Sequence, residues 1–461
     1  MKFYMLFPML LVLTSCGSTS YVRPDTPIPA RWNAKAEMGA SLADRPWGEI
    51  FPVPELAALI DEALVANSDL RIAAERVELA RAQFGIERAA IFPSLVLGVS
   101  GSRGRLPGSG PIRNEISEYG DASVVIPAWE IDLWGKLRDR AETRRREMLS
   151  SEALVDAARI SLVAQVSTLY LELLDFDNQV EITGRTIKTR QYALRLNRLR
   201  YDEGVAAIID VYEAESSLAS AEQVLADLIR RRAQLENALS VLLGRNPGPI
   251  IRTARLDALH PPAGALAGLP SNLLQRRPDI RAAEELLLGA EANIDAARKA
   301  FLPSLSLTTM LGYVSPLLKQ LFDSDRYAWS VQPAVSVSVF DAGRLGFGVD
   351  AAEAQKRILV EQYKASIRQA FRETNDALIA MEQLAVQRTA NEKTKTANAA
   401  RLRAAQARYF SGVASYFEVL DAERQLLDSE IALSQTLRNQ QLAVVSLYRS
   451  LGGGWRQDND G

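Results

Sequence analysis

Hydrophobic residues recur at steps of three and four along two long stretches of the chain. The clearest run is Leu162, Val166, Leu169, Leu173, Phe176 and Val180. This spacing is typical of a coiled-coil seam, whose apolar positions repeat about every seven residues. The stretch from Lys136 to about Tyr201 contains no proline, and as one helix it would extend about 100 Å. A second apolar run follows Gly204, so we predict two helices packed as an antiparallel hairpin.

Other segments alternate between apolar and polar residues. The apolar members are Leu95, Leu97, Val99, Leu305, Leu307, Leu311, Tyr313, Trp329, Val331, Val335, Val337 and Val339. A period of two predicts β-strands with one apolar face, here arranged as two hairpins. A further segment, Tyr119 to Leu133, alternates less cleanly. The strand pattern alone leaves open whether the apolar faces contact lipid or pack on the helices, as in many soluble folds.

The chain contains two copies of one block of about 200 residues. Residues 69–95 align without a gap on residues 279–305, and 11 of these 27 positions are identical. Further along, Tyr201 to Val205 aligns with Tyr409 to Val413 at an offset of 208. Solenoid repeats have periods of about 20 to 50 residues, so a large unit has been duplicated instead. Each copy is predicted to run helix, β-hairpin, long helix, turn, helix.

The duplication predicts a domain organisation. Repeat 1 spans 54–252 and repeat 2 spans 269–452. Their β-hairpins lie at 92–133 and 302–340, and their helical hairpins at 135–244 and 343–452. The remaining segments are a signal peptide at 1–15, a tether at 16–53, a linker at 253–268 and a C-terminal tail at 453–461.

The amino-acid composition argues against several classes of function. The 461 residues are 48% hydrophobic and 24% charged, which is typical of a folded protein. A formal charge of −2 gives no electrostatic reason to bind nucleic acid. One Cys and one His leave little material for a zinc site or a histidine-activated nucleophile, and His260 falls in a Pro-rich loop. We therefore predict neither an enzyme nor a metal site, and no cofactor.

The N-terminus predicts export. Lys2 is followed by a mostly apolar run of 11 residues, Phe3 to Leu13, which is too short to span a bilayer. Leu13-Thr-Ser-Cys16 resembles the lipoprotein signal, in which cleavage precedes the cysteine and the cysteine is acylated. Gly17 in the next position favours, by the same resemblance, sorting to the outer membrane. The alternative is an ordinary signal peptide with an incidental cysteine.

Because only four strands are predicted in each chain, a closed membrane barrel would require more than one chain. A strand that crosses a bilayer needs about 9 to 11 residues, and a spanning sheet must close without an edge. Outer-membrane barrels have about eight strands or more. If the four predicted strands cross a membrane, two chains would supply eight strands and three chains would supply twelve.

Four segments carry a resemblance to a known family. They are Leu269 to Glu284, Phe340 to Gly343, Tyr409 to Glu423 and Leu451 to Trp455. They resemble the TolC-type outer-membrane efflux channels, in the lipoprotein branch that serves resistance-nodulation-division pumps. The resemblance implies a homotrimer, in which tandem-duplicated chains each contribute four strands to a twelve-stranded membrane β-barrel. The barrel would be continuous with a long α-helical coiled-coil barrel in the periplasm.

The resemblance also implies partners and a mechanism. The channel would be a lipid-anchored, passive conduit in the bacterial outer membrane, extending into the periplasm. It would receive small molecules from an inner-membrane resistance-nodulation-division pump through a periplasmic adaptor protein. Its other contact would be outer-membrane lipid, and no reaction of its own is implied.

Residues at the two helical-hairpin tips take their roles from the same resemblance. Gly204, Val205, Gly412 and Val413 match the end that docks the adaptor. Glu418 and Asp421 match acidic rings at the periplasmic aperture, although such a pair is also typical of a solvated helix face. Asp210 and Tyr409 match a link between neighbouring hairpins that holds the aperture shut. Ala414 departs from relatives that place an arginine in this latch, which puts its strength in doubt.

Two other functions stay open on the sequence. One is an outer-membrane conduit for a protein-secretion system, which the lipoprotein signal and the 269–284 segment disfavour only weakly. The other is a lipid-anchored coiled-coil scaffold of the cell envelope, which needs no barrel and leaves the alternating strands unexplained.

Overall fold

The computed structural model describes residues 23–33, 41–105, 116–260 and 267–453. The chain divides into two compact units, and each takes segments from both repeats. Unit 1 consists of Met1–Asp25, Glu78–Ser150 and Ala283–Tyr363, and unit 2 consists of Thr26–Val77, Ser151–Ala282 and Lys364–Gly461.

In repeat 1, short helices precede a β-hairpin and two long helices. The elements are α1 (Trp47–Ile50), α2 (Pro54–Ala66), α3 (Ser68–Ala89), β1 (Val96–Arg105), β2 (Ile116–Ile131), α4 (Lys136–Asp202) and α5 (Ile208–Leu242). Proline suits the first turn of α2, where its missing N–H has no partner to lose. Asn67 separates α2 from α3, because its side-chain oxygen accepts the backbone N–H of Leu70 at 3.0 Å and caps the new helix.

Repeat 2 follows the same order. The elements are α6 (Leu273–Arg276), α7 (Pro278–Lys299), β3 (Ser304–Ser315), β4 (Tyr327–Ser336), α8 (Arg344–Phe410) and α9 (Tyr416–Ser450). Strand β4 ends at Ser336, so Val337 and Val339, which we predicted to continue its alternation, lie beyond the strand. The long helices α4 and α8 each contain 67 residues, and α5 and α9 each contain 35.

Unit 1 contains one antiparallel sheet with the strand order β1-β2-β3-β4. The β2–β3 pairing joins the two repeats, whereas β1 and β4 form the two edges. Each strand is connected to a helix at one end, and the loops β1–β2 and β3–β4 connect the strands at the other end. The sheet therefore has a helix end and a loop end.

The register gives the sheet one mainly apolar and one mainly polar face, and the exceptions include Val96, Val125 and Met310 on the polar face and Arg103 and Glu118 on the apolar face. One face, here called the apolar face, carries Leu97, Val99, Ala122, Val124, Leu311, Tyr313, Trp329 and Val331. The other, here called the polar face, carries Ser100, Asp121, Ser123, Thr308, Ser330 and Gln332. This assignment follows from the alternation of side chains along paired strands.

A bulge in β2 explains why its alternation was unclear in the sequence. The pairing with β3 shifts between Ile126 and Trp129, and Ala128 has a positive φ of 40°. Because the bulge adds one residue, Ile126 and Trp129 lie on the same face despite their odd separation. The apolar face therefore continues to the helix end.

In unit 2, the hairpin ends of α4, α5, α8 and α9 share one buried group of side chains. This group, here called the tip cluster, consists of Leu194, Val211, Ala214, Ala405, Tyr409, Tyr416, Val419 and Ala422. It contains residues from both helical hairpins. The seam residues Leu194, Val211 and Ala214 of the first hairpin therefore also pack with residues of the second hairpin, which the heptad spacing alone did not predict.

Candidate functional site

The two hairpin tips have the same backbone structure. After α4, Gly204 N–H donates to Tyr201 O at 2.9 Å and Val205 N–H donates to Arg200 O at 2.8 Å. After α8, Gly412 and Val413 repeat these bonds to Tyr409 and Arg408 at 3.0 and 3.1 Å. This pattern is the Schellman motif, in which the residue after the helix adopts a left-handed conformation. Gly204 and Gly412 have φ of 71° and 76°, which glycine adopts without steric cost.

Apolar side chains project from both tips. Val205 is 64% exposed and Val413 is 67% exposed. A second pair of equivalent apolar positions, Ile209 and Phe417, is exposed as well. Exposed apolar side chains at the same positions of both tips are typical of a surface that contacts another protein.

Tyr409 lies in the tip cluster and is 6% exposed. Its hydroxyl donates to Asn197 Oδ1 at 2.8 Å, and the Arg200 guanidinium lies 4.6 Å from its ring centroid. Burial raises the pKa of Tyr409, which keeps the hydroxyl protonated as a donor. Because Asn197 belongs to α4 and Tyr409 to α8, this bond joins the two hairpins of one chain.

Asp210, the predicted partner of Tyr409, lies half-buried in the first turn of α5. A carboxylate in this position is stabilised by the helix dipole. The described hydroxyl bond of Tyr409 is with Asn197 rather than with Asp210. The link between Asp210 and Tyr409 across neighbouring hairpins stays a prediction.

The two predicted aperture acids each have arginine neighbours. Asp421 accepts from Arg401 at 2.6 Å and from Arg424 at 2.8 Å. The hydrogen bond from Arg424 lowers the pKa of Asp421, so this carboxylate is ionised over the physiological pH range. Glu418 lies 3.4 Å from Arg408. The acidic pair is therefore part of a mixed-charge surface, which the i,i+3 spacing alone did not indicate.

Sequence reasoning missed a buried ion pair next to the tip cluster. Arg190 of α4 and Glu423 of α9 lie 3.8 Å apart, and their side chains are 8% and 5% exposed. Arg190 also donates to the backbone oxygen of Ser217 at 2.6 Å. The available signal was the heptad spacing of α4, because Arg190 lies three residues after Ile187 and four before Leu194, at a seam position. The repeat gave no such signal, since the equivalent Glu215 is exposed. The predicted acylation site, Cys16, lies outside the described residues.

The profile of the family described as "Outer membrane efflux protein" matches residues 59–245 and 269–453 of this chain. The chain belongs to the outer membrane efflux protein family. The two matched segments overlap the two duplicated blocks, so both blocks are typical of an outer membrane efflux protein.

Relatives of this outer membrane efflux protein match it along almost the whole chain. It is 36% identical to the probable efflux pump outer membrane protein TtgC of Pseudomonas putida, over 94% of this chain and 92% of TtgC. It is 35% identical to outer membrane protein OprJ of Pseudomonas aeruginosa, over 96% and 94% of the two chains. The crystal structure of the open state of the Neisseria gonorrhoeae MtrE outer membrane channel has a TM-score of 0.85 with 31% identity, covering 96% of this chain and 99% of MtrE.

These likenesses confirm the resemblance inferred from the sequence. The protein is an outer-membrane channel of an efflux system, and its fold is that of the TolC-like outer-membrane channels. The family and the relatives are channel proteins rather than enzymes. The alternatives of a secretion conduit and of an envelope scaffold are disfavoured.

Proposed function

We propose that three copies of this chain close a twelve-stranded barrel in the outer membrane and form a passive conduit for small molecules. The observation that carries the proposal is the four-stranded sheet with two unpaired edges, β1 and β4. In lipid, unpaired backbone groups cost several kcal/mol each, so a spanning sheet must close. Pairing β1 of one copy with β4 of the next would remove every edge, and four strands from each of three copies give twelve.

The two faces of the sheet support the same arrangement. The apolar face would contact lipid and the polar face would line a water-filled lumen, which is the alternation of outer-membrane barrels. Trp329 and Val331 on the apolar face are exposed, as are Leu97 and Val99. Within the described part of one chain these four side chains stay exposed, whereas lipid would cover them in the barrel.

The domain organisation stays part of the proposal. We place a signal peptide at 1–15, an acylated Cys16, a tether at 16–53, repeats at 54–252 and 269–452, a linker at 253–268 and a tail at 453–461. Two contacts support the tether. Within unit 1, Arg23 makes three hydrogen bonds to Glu284 at 2.6 to 2.9 Å. Within unit 2, Trp32 donates to the backbone oxygen of Gly268 at 2.9 Å.

The proposed partners are a periplasmic adaptor protein and an inner-membrane resistance-nodulation-division pump. The docking surface would be the two tips, with Gly204 and Gly412 forming the turns and Val205 and Val413 projecting from them. Because both tips have the same turn and the same exposed valine, three copies would present six similar docking positions to the adaptor.

The proposed aperture contains Asp210, Tyr409, Glu418 and Asp421. Three copies would bring the acidic residues together, and rings of charge select ions by their sign. Arg401 and Arg424 would enter the same region with Asp421. We therefore expect a weaker preference for cations than nine unpaired carboxylates would produce.

The architecture is tested by extracting the full chain from outer membranes and imaging it by negative-stain electron microscopy. We expect particles with threefold symmetry and a long extension, and ion conductance in planar bilayers. Deletion of the protein should increase susceptibility to toxic small molecules. A stable, water-soluble monomer without conductance would contradict the proposal.

Adaptor docking is tested by the double variant Val205→Asp/Val413→Asp. Both valines are exposed in the single chain, so the variant should still fold and assemble. One desolvated carboxylate at each tip should reduce adaptor crosslinking in cells at least tenfold and abolish efflux. The matched control is Val65→Asp, which places the same charge on an exposed valine of α2. Equal crosslinking in the double variant and the control would remove the docking role of the tips.

A further inference from the structure

The loop between β3 and β4, residues 316–326, is unusually apolar for a loop at the end of a sheet. It contains Leu317, Leu318, Leu321 and Phe322. Leu321 is buried, whereas the other three are exposed. The loop lies at the loop end of the sheet, on the side away from the connections to the helices.

Leu318 and Leu321 of this loop pack on the apolar face of the sheet. Gly101 of β1 pairs with Gly120 of β2, and the missing side chains leave room on that face. A Cβ added at Gly101 would lie 2.8 Å from the Leu318 side chain, and one added at Gly120 would lie 3.1 Å from it. Gly101 shares its face with Val99 and Leu97, because side chains alternate along a strand. The loop therefore covers the end of the apolar face rather than folding over the polar face.

Aromatic residues extend the same surface. The ring of Phe322 lies 5.9 Å from that of Tyr313, which lies 6.1 Å from that of Tyr327, and the pairs are edge-on. Tyr313 and Tyr327 are paired residues of β3 and β4 on the apolar face. Phe322 is 73% exposed, so it adds to the apolar surface instead of filling a core. Aromatic side chains are enriched where a barrel crosses the boundary between lipid and water.

The backbone of the loop is hydrogen-bonded within itself. Ser315 Oγ accepts from Leu317 N–H at 3.2 Å, and two short 3₁₀ turns follow, Leu318–Gln320 and Ser324–Arg326. Irregular backbone is not found in the hydrocarbon interior, because unsatisfied amides are too costly there. A loop with internal bonds is suited to the boundary between headgroups and acyl chains, where apolar side chains enter lipid by about 5 to 10 Å.

We propose that the 316–326 loop is a lipid-contacting segment whose exposed side chains, Leu317, Leu318 and Phe322, lie among the acyl chains of the outer leaflet. Lipid is the expected contact of this loop, since the loop extends the apolar face and the protein resides in the outer membrane. The inference rests on the proposed barrel, because only there does the apolar face contact lipid. The loop would fix the depth of the barrel and leave the lumen open.

The polar end of the loop provides a matched control. Asp325 follows Phe322 by three residues, and its side chain is 71% exposed, close to the 73% of Phe322. In the protein alone, cysteines at the two positions would be equally accessible to a water-soluble reagent. A difference in their reactivity on cells therefore reports what surrounds the protein.

The experiment compares Phe322→Cys with Asp325→Cys in the full chain on intact cells. The parent chain has one cysteine, so its labelling gives the background. A membrane-impermeant maleimide should label Asp325→Cys at least tenfold faster than Phe322→Cys, and both should label fully after denaturation. Retained efflux verifies that each variant has folded. Leu317→Cys and Asp323→Cys repeat the comparison if Phe322→Cys does not accumulate.

The other outcomes separate two failures. Equal, fast labelling at both positions would mean that the loop stands in water, which overturns the lipid contact but leaves the barrel intact. If neither position is labelled until denaturation, the loop end does not face the exterior, and the proposed barrel orientation fails together with the inference.

Discussion

Replacement of Tyr409 by phenylalanine is expected to raise the open-to-closed ratio of the channel. The substitution keeps the ring in the tip cluster but removes the hydroxyl that donates to Asn197 at 2.8 Å. Asn197 is itself buried, so its side-chain oxygen would lose its hydrogen bond away from water. Leaving such a group unsatisfied costs about 1 to 3 kcal/mol. That range corresponds to about a 5- to 150-fold change in the ratio.

The measurement is single-channel conductance in planar bilayers, with cell entry of a bulky hydrophilic antibiotic as a second readout. The duplication supplies the control, because Tyr201 is the equivalent residue of repeat 1 and is 44% exposed. Tyr201→Phe should leave conductance unchanged. If Tyr409→Phe behaves like Tyr201→Phe, the bond to Asn197 does not hold the hairpins together.

Most of the architecture could be predicted from three patterns in the sequence. They are the tandem repeat, the heptad spacing of the long helices and the period-two alternation of the strands. Heptad spacing predicts long paired helices, and a glycine at the same position of both copies predicts the turns at Gly204 and Gly412. These features are local, since they depend on residues within a few turns of one another. The helical-hairpin turns lie where the sequence placed them.

The residue at which a strand ends was harder to predict from the alternation of apolar and polar residues. Val337 and Val339 continue the apolar pattern beyond the last paired residue of β4, Ser336. Pairing with β3 decides where the strand stops, and the first residue of β3, Ser304, pairs with Ser336. In β2, a bulge inserts one residue. The alternation of apolar and polar residues therefore breaks in the sequence, although the side chains on either side of the bulge stay on the same face of the sheet.

The candidate site was predicted only in part, because its contacts join residues far apart in the chain. The motif match indicated Tyr409, but its partner Asn197 is 212 residues away, on a different hairpin. Asn197 lies three residues after Leu194 and four before Tyr201, so the heptad spacing places it on the seam, but a polar residue at such a position does not by itself identify its partner. Arg401 was similarly missed, since it contacts Asp421 across the α8–α9 hairpin, whereas Arg424 lies only three residues from Asp421 on the same helix.

A substitution at the buried ion pair is expected to have the largest effect on stability. Arg190→Met would leave Glu423 buried without its counter-charge and would remove the bond to Ser217 O. Breaking a buried pair by removing one partner costs about 3 to 5 kcal/mol. Because the pair joins α4 to α9, we expect the loss to appear as easier separation of the two hairpins near the tip cluster.

The pH dependence of this variant identifies the cause. Burial raises the pKa of Glu423 above its ordinary value of 4.5, and Arg190 opposes this shift. Without Arg190 the pKa should rise further. The folded state then binds the proton more tightly than the unfolded state, so stability should fall as the pH rises from 4.5 through the folded pKa. The destabilisation should be greatest at high pH and should decrease on acidification.

Hydrogen exchange of the α9 backbone near Glu423, corrected for intrinsic rates, measures the free energy of local opening between pH 5 and 8. The control is Arg198→Met, because Arg198 lies 3.5 Å from Glu215, the repeat-1 equivalent of Glu423, and both side chains are more than half exposed. An exposed pair contributes about 0 to 1 kcal/mol, so this control should change little. Adding Glu423→Gln to Arg190→Met should restore most of the stability at high pH, since no buried charge remains. A loss in Arg190→Met that is independent of pH and unaffected by Glu423→Gln would mean that packing of the arginine stem, rather than its charge, holds α4 against α9.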